Sequence, residues 1–216
     1  MLEICAAKVW VKKLDRVCFT ELQLDVIKEL ANIGGGNAAS SISQIIDKPV
    51  SMTVPVIKIL NYNEVFKKIM PEDDMVNAVI MEMTGSAEGM FMFVTDDGAS
   101  DALVKMMIPL GIEVNEELTE SAIKELVNIL VTSYLNAIAQ MVDVELIASV
   151  PLLIRDMFGA ILSSLYIESE QYDENVMIIR NEFFYQGDKI ESSLYFVPKP
   201  GVLSSLFKIL GVGEDK

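Results

Sequence analysis

One arrangement of polar side chains occurs twice in the sequence. Both copies follow the pattern Asp/Ser-x3-Glu-x2-Asn-x22-Pro, with Asp25, Glu29, Asn32 and Pro55 in the first copy and Ser121, Glu125, Asn128 and Pro151 in the second. On an α-helix, offsets of four and seven residues turn the side chain by roughly 40° and −20° from the first, so all three lie within roughly 60° of one another. The helical residues of each copy therefore share one face, where a carboxylate and a carboxamide can grip a cation and orient a water molecule.

The chain contains no histidine. This excludes a Ser-His-Asp triad, a Cys-His pair, a histidine-ligated zinc and an imidazole general base. The Glu–Asn pairs are therefore better suited to positioning a water molecule than to deprotonating it. Ser121 and Lys124 also match Ser-x-x-Lys, the acylation motif of penicillin-binding enzymes. The Ser-Asp-Asn and Lys-Thr-Gly motifs that those enzymes also contain are absent from the sequence. A purely structural role, in which each Glu and Asn caps a neighbouring element, stays open.

The two copies belong to a longer internal repeat. Residues 25–57 align without a gap to the residues 96 positions later, and eleven of the thirty-three are identical. In each half a long helix, at about 21–46 and about 117–142, would carry the polar pattern. The pairs Thr20-Glu21 and Thr119-Glu120 are suitable residues to begin these helices.

The remaining segments of each half predict one proline-containing strand, a short helix, a hairpin and a closing helix. The sequence therefore predicts an α/β fold made of two pseudo-symmetric halves that share one core, with a six-stranded sheet. Residues 20–212 would form a single domain of two repeats, about 20–110 and 116–212, preceded by an N-terminal extension of unknown role at 1–19.

Composition limits the class of partner. The formal net charge is −15, from 17 basic and 32 acidic residues. Such a surface disfavours nucleic acid and anionic membranes, so a protein or small-molecule partner is expected. The apolar stretch 126–154 is interrupted by a polar stripe at every fourth residue: Asn128, Thr132, Asn136 and Gln140. This pattern predicts a buried amphipathic helix rather than a membrane span, and a cytoplasmic protein.

Three consecutive glycines, Gly34 to Gly36, follow the first Glu–Asn pair. They lack the Gly-Lys-Ser/Thr ending of a phosphate-binding loop, and the second copy has no glycine at the matching positions. We predict that they lie within the first long helix and allow it to pack closely against the second, at Leu130, Tyr134 and Leu135. A glycine in a helix costs roughly 1 kcal/mol relative to alanine, so close packing would offset that cost.

The duplicated pattern, the stretch "NIGGGNAA" and the closing "FVPKPGVLSSLFKILG" resemble the CheC/CheX/FliY family of chemotaxis phosphatases. The resemblance covers about residues 20–212. It implies dephosphorylation of phospho-CheY, a receiver domain phosphorylated on an aspartate. It also implies that the protein has no cofactor or metal of its own, that Mg²⁺ belongs to the phosphorylated receiver, and that CheD is a further partner.

The resemblance assigns roles to the patterned residues. Asn32 and Asn128 would orient the attacking water, and Glu29 and Glu125 would bind the active-site lysine of the receiver. Asp25 and Ser121 would support that contact, and Pro55 and Pro151 would shape the adjoining strands. The competing hypothesis is a non-catalytic adaptor that binds CheD or a receiver domain through the same helix faces.

Overall fold

The computed structural model describes residues 20–53, 56–109, 111–169 and 175–213. Pro55 and the extension at 1–19 lie outside the described residues, so their assignments stay predictions. The elements follow in the order α1 (Glu21–Ile46), β1 (Val50–Met52), β2 (Val56–Asn61), α2 (Tyr62–Lys68), β3 (Met75–Gly85), β4 (Gly89–Thr95), α3 (Asp97–Met107), α4 (Glu116–Val142), β5 (Leu146–Ala148), β6 (Leu152–Met157), α5 (Phe158–Glu168), β7 (Asn175–Tyr185), β8 (Asp188–Pro198) and α6 (Val202–Ile209).

The second half has the same element order as the first. The elements β5, β6 and α5 each begin 96 residues after β1, β2 and α2. The sheet is antiparallel, with the order β1-β7-β8-β4-β3-β5, while β2 pairs with β7 and β6 pairs with β3. The edge strands of each half thus pair with the hairpin of the other half. The predicted α/β fold is confirmed, and the element order agrees with the predicted duplication, whose common origin stays a prediction.

The number of strands differs from the prediction. The described residues form eight strands, because each proline-containing segment, predicted as one strand, contributes two. Three residues lie between Ala148 and Leu152, but only two lie between their partners Met83 and Ile80 on β3. The register of β1 and β2 against β7 differs by one residue in the same way. An extra residue of this kind interrupts a ladder, and proline lacks the N–H that a ladder requires.

Helices cover both faces of the sheet. One core contains the buried faces of α1 and α4 together with Phe91 and Phe93 of β4. The other contains α2 and α5 together with Met90 and Met92 of the same strand. All seven residues of β4 are buried, as expected for a central strand covered on both sides.

Both long helices begin with a side-chain cap. Thr20 caps α1 as predicted, because its hydroxyl accepts the Gln23 N–H and the Gln23 side chain accepts the Thr20 N–H. The predicted bounds of α4, about 117–142, agree with the structure, but the predicted cap at Thr119-Glu120 is wrong. Asn115 provides the cap by accepting the Leu118 N–H at 2.8 Å, and acidic residues in the first turn extend the helix towards its N-terminus.

Helix α4 is packed into the protein. It is the one helix among the described residues whose length and composition would allow a membrane span, but 56% of that apolar window is buried inside the protein. Its polar stripe runs from the half-buried Asn128 and Thr132 to the exposed Asn136 and Gln140. The helix therefore has the amphipathic form that its sequence predicts.

Candidate functional site

Helix α1 presents the first polar pattern on its outward face. Ile27, Ala31, Ala38 and Ile42 are buried in the core that α1 shares with α4 and the sheet. Asp25 and Glu29 lie on the opposite side and are exposed, while Asn32 is half-buried. Because the core side of the helix is held by packing, the polar face has a fixed direction towards solvent.

Helix α4 presents the second pattern in the same way. Ser121 and Glu125 are exposed and Asn128 is half-buried, while Ile123, Leu126 and Leu130 are in the core. The structure therefore brings the three helical residues of each copy onto one face, as the spacing predicted. Pairing across the sheet and the contact between α1 and α4 place both helices on the same face of the sheet.

The lysine before each glutamate is already paired with another acid. Lys28 Nζ lies 2.9 Å from Asp25 Oδ1, and the corresponding Lys124 contacts Glu120, since Ser121 carries no charge. Within the described parts of the chain, no ion pair or hydrogen bond is found for the side chains of Glu29 and Glu125. Each helix face therefore offers an exposed carboxylate to a cationic partner.

Asn32 has an unusual environment. Its Oδ1 atom is buried and has no hydrogen-bond partner among the described residues. A buried polar atom without a partner costs about 1–3 kcal/mol, and native proteins keep few of them. For Asn32, the structural alternative of a capping hydrogen bond through this oxygen finds no support. Part of this carboxamide is thus not used in holding the fold together.

Pro151 lies between β5 and β6 rather than within a strand. Next to it, Ser149 forms two hydrogen bonds with the backbone of Glu82. The Ser149 N–H donates to the Glu82 carbonyl oxygen, and the Glu82 N–H donates to Ser149 Oγ, each at 2.8 Å. In the first half the Thr53 N–H donates to the Glu182 carbonyl at the matching place. The proline thus follows a fixed irregularity at the sheet edge.

No metal-binding cluster of three or more acidic or cysteine side chains occurs in the described part of the chain. The Glu–Asn pairs offer only one carboxylate each, which is too few ligands for a protein-held Mg²⁺ site of its usual octahedral form. The assignment of Mg²⁺ to the receiver stays a prediction.

The glycines after Asn32 differ in their surroundings. Gly34 and Gly35 are buried, and a Cβ at Gly34 would lie 2.6 Å from Tyr134 Cδ1 and 2.9 Å from Tyr134 Cα. Close packing against α4 is therefore confirmed at Gly34. For Gly36 the packing prediction is wrong: it is exposed, and no atom of the described chain lies within 4 Å of the place a Cβ would occupy.

Three comparisons relate the chain to known proteins. The CheC-like family profile matches residues 22–59, which include the first Glu–Asn pair. The CheY-P phosphatase CheC of Bacillus subtilis (strain 168) is 29% identical over 201 residues, which are 88% of this chain and 95% of that protein. The crystal structure of Thermotoga maritima FliY has a TM-score of 0.71 at 20% identity, covering 91% of this chain and 99% of that chain. The chain is therefore similar to CheC-like proteins over most of its length, and it shares the fold of FliY.

The sequence similarities relate the chain to CheC-like proteins. A chain in the crystal structure of a FliG–FliM complex from H. pylori also has this fold, with a TM-score of 0.59 at 10% identity, over 86% of this chain and 100% of that chain. A protein of a FliG–FliM complex and a CheY-P phosphatase are thus both similar to this chain. The fold alone does not specify catalysis, which depends on the residues on the helix faces.

Proposed function

We propose that this protein is a cytoplasmic phosphatase for the phospho-aspartate of a CheY-like receiver domain. The observation that carries the proposal is the same Glu–Asn pair on the outward faces of α1 and α4, with both glutamates exposed. The similarity to the CheY-P phosphatase CheC over 88% of the chain supports the substrate class.

Each residue of a pair has a separate task in this mechanism. Glu29 or Glu125 binds a lysine ammonium of the receiver and fixes the docking of the helix. Asn32 or Asn128, one helical turn away, then projects its carboxamide towards the phosphoryl group. The carboxamide oxygen, which at Asn32 is buried in the free protein and turns outward when the receiver docks, accepts a hydrogen bond from a water molecule and holds it in line with the bond to be broken.

The reaction requires little further help from this chain. The water oxygen attacks phosphorus, the bond between phosphorus and the aspartate oxygen breaks, and the receiver regains a carboxylate as inorganic phosphate leaves. An acyl phosphate is already reactive, so positioning and charge neutralisation account for the catalysis. The resident Mg²⁺ of the receiver supplies the charge neutralisation, and this chain's residues place the water.

The test is the decay of a phosphorylated receiver in the presence of this protein. Replacing Asn32 and Asn128 together by alanine should reduce the stimulated rate to the receiver's own rate, and each single change should leave part of it. Loss of one positioning group typically lowers a rate on the order of 10²–10³-fold. The matched control is Asn37→Ala with Asn136→Ala, since both are exposed asparagines on the same two helices. Parent-level decay with the first double variant would refute the proposed site.

A second candidate function is an adaptor that binds a receiver or CheD without catalysis. The similarity of the fold to a chain of a FliG–FliM complex favours it, because that protein is seen in an assembly. Decay assays with and without CheD separate the two candidates. Receiver binding with unchanged decay in both assays would leave the adaptor, whereas faster decay that depends on both asparagines supports the phosphatase.

A further inference from the structure

Gly36 lies on the same face of α1 as the proposed catalytic pair. It is four residues, or about 6 Å along the helix axis, beyond Asn32. At 100° per residue, the directions of Asp25, Glu29, Asn32 and Gly36 fall within roughly 60° of one another. The sequence itself indicates this shared face, since Asp25, Glu29, Asn32 and Gly36 follow one another at offsets of four, three and four residues.

Packing within the protein does not explain this glycine. Helix α1 is regular through it, and the described chain leaves open space where a Cβ would be. Gly34 differs, since Tyr134 blocks a Cβ there. An exposed helix-interior glycine lowers the folding equilibrium constant about fivefold relative to alanine. The fold would therefore be more stable with alanine at position 36.

The next turn of the helix does not fill the open space. The Ser40 hydroxyl donates to the Gly36 carbonyl oxygen at 2.9 Å, which directs this short side chain back along its own helix. The corresponding position in α4 holds the half-buried Thr132, followed by the exposed Asn136 where α1 has Ser40. The two helices thus carry the same Glu–Asn pair, but one turn beyond the asparagine α1 has no side chain where α4 has Thr132.

We propose that Gly36 is a docking and specificity residue of the α1 site, where a segment of the phosphorylated receiver approaches the helix backbone within van der Waals distance. This inference rests on the proposed function and adds a requirement to it. A receiver segment that fits over Gly36 meets Thr132 when it docks on α4. The two sites then discriminate between receivers whose surface differs at this point, even though their catalytic residues are identical.

The test isolates the α1 site in the Asn128→Ala background. Gly36→Ala and Gly36→Leu are made there, with Asn37→Ala as the control, because Asn37 is exposed on α1 but points about 100° away. Binding of a beryllofluoride-activated receiver and KM for the phosphorylated receiver should both weaken about tenfold with alanine and further with leucine. Gly36→Ala should also resist urea better than its parent, which excludes misfolding as the cause.

The outcomes separate this inference from the function on which it rests. Unchanged receiver affinity and KM in Gly36→Leu, while decay still depends on Asn32, would overturn the role of Gly36 alone. We expect that Asn32→Ala in this background abolishes stimulated decay. We also expect that the Gly36 variants bind the receiver more weakly, whereas Asn37→Ala binds it as tightly as the parent. If the decay rate in this background does not depend on Asn32, the proposed function itself is refuted.

Discussion

Replacing Gly34 by alanine tests how closely α1 and α4 approach. The new Cβ would lie 2.6 Å from Tyr134 Cδ1 and 2.9 Å from Tyr134 Cα. A ring atom can be displaced by rotation of the side chain, but the Cα moves only with the backbone of α4. An ordinary contact between carbon atoms is about 3.5–4 Å, so the helices must separate by several tenths of an ångström or more.

The expected magnitude follows from two opposing effects. Overpacking of this kind typically destabilises by about 1–3 kcal/mol, while alanine favours the helical state over glycine by roughly 1 kcal/mol. Gly36→Ala gains the second effect without the first, since its Cβ meets open space in the described chain. The difference between the two variants therefore cancels helix propensity and leaves about 1–3 kcal/mol for packing.

The assay is urea unfolding of the parent, Gly34→Ala and Gly36→Ala, compared by the free energy of unfolding. In a protein of 216 residues, each kcal/mol corresponds to about 2–4 °C in Tm. We expect Gly36→Ala to be more stable than the parent and Gly34→Ala to be the least stable of the three. A Gly34→Ala variant as stable as Gly36→Ala would refute the close approach of the two helices.

Three further predictions follow from the same structure. Glu29→Lys together with Glu125→Lys should raise KM for the phosphorylated receiver at least tenfold. Because both carboxylates are exposed, the free energy of unfolding should change by less than about 0.5 kcal/mol. An unchanged KM would contradict their docking role. Asp143 ends α4 in the left-handed conformation at φ 53°, so Asp143→Gly should stabilise by roughly 0.5–1 kcal/mol in urea unfolding, and a loss of stability would contradict this cause. Burial raises the pKa of Tyr134 and Tyr195 above the usual range. Above about pH 10 the unfolded chain therefore loses both protons while the folded protein keeps them, so the free energy of unfolding should fall, less steeply in Tyr134→Phe. A free energy of unfolding that stays constant above about pH 10 would argue against the burial of these tyrosines.

The polar pattern could be predicted from sequence because helix geometry is local. The spacing from Asp25 to Asn32 fixes a common face on any α-helix, and the repeat at the second copy singled that face out from ordinary surface polarity. The fold class followed from the alternation of helical and strand patterns in each half. The capping residue of α4 was less well determined, because Asn115 and Thr119 are both good caps and the choice depends on which turn is stabilised by its surroundings.

The pairing of the strands could not be predicted in the same way. The sequence suggested that two halves share a core, but not that β1 and β2 pair with β7 while β5 and β6 pair with β3. Such pairings depend on contacts between residues far apart in the chain. The interruption of the proline-containing strands likewise depends on the register of the facing strand, where three residues face two.

The sequence by itself determined which side chains recur and which of them share a helix face, since both follow from composition and a fixed helical period. It also excluded histidine chemistry outright. Only the tertiary structure separated Gly34 from Gly36, two residues of the same type in the same helix. Gly34 meets the backbone of α4 and Gly36 meets open space, because a helix buries one side against its neighbours and leaves the other to solvent. That distinction assigns Gly34 to the packing of the fold and leaves Gly36 for the proposed approach of a partner.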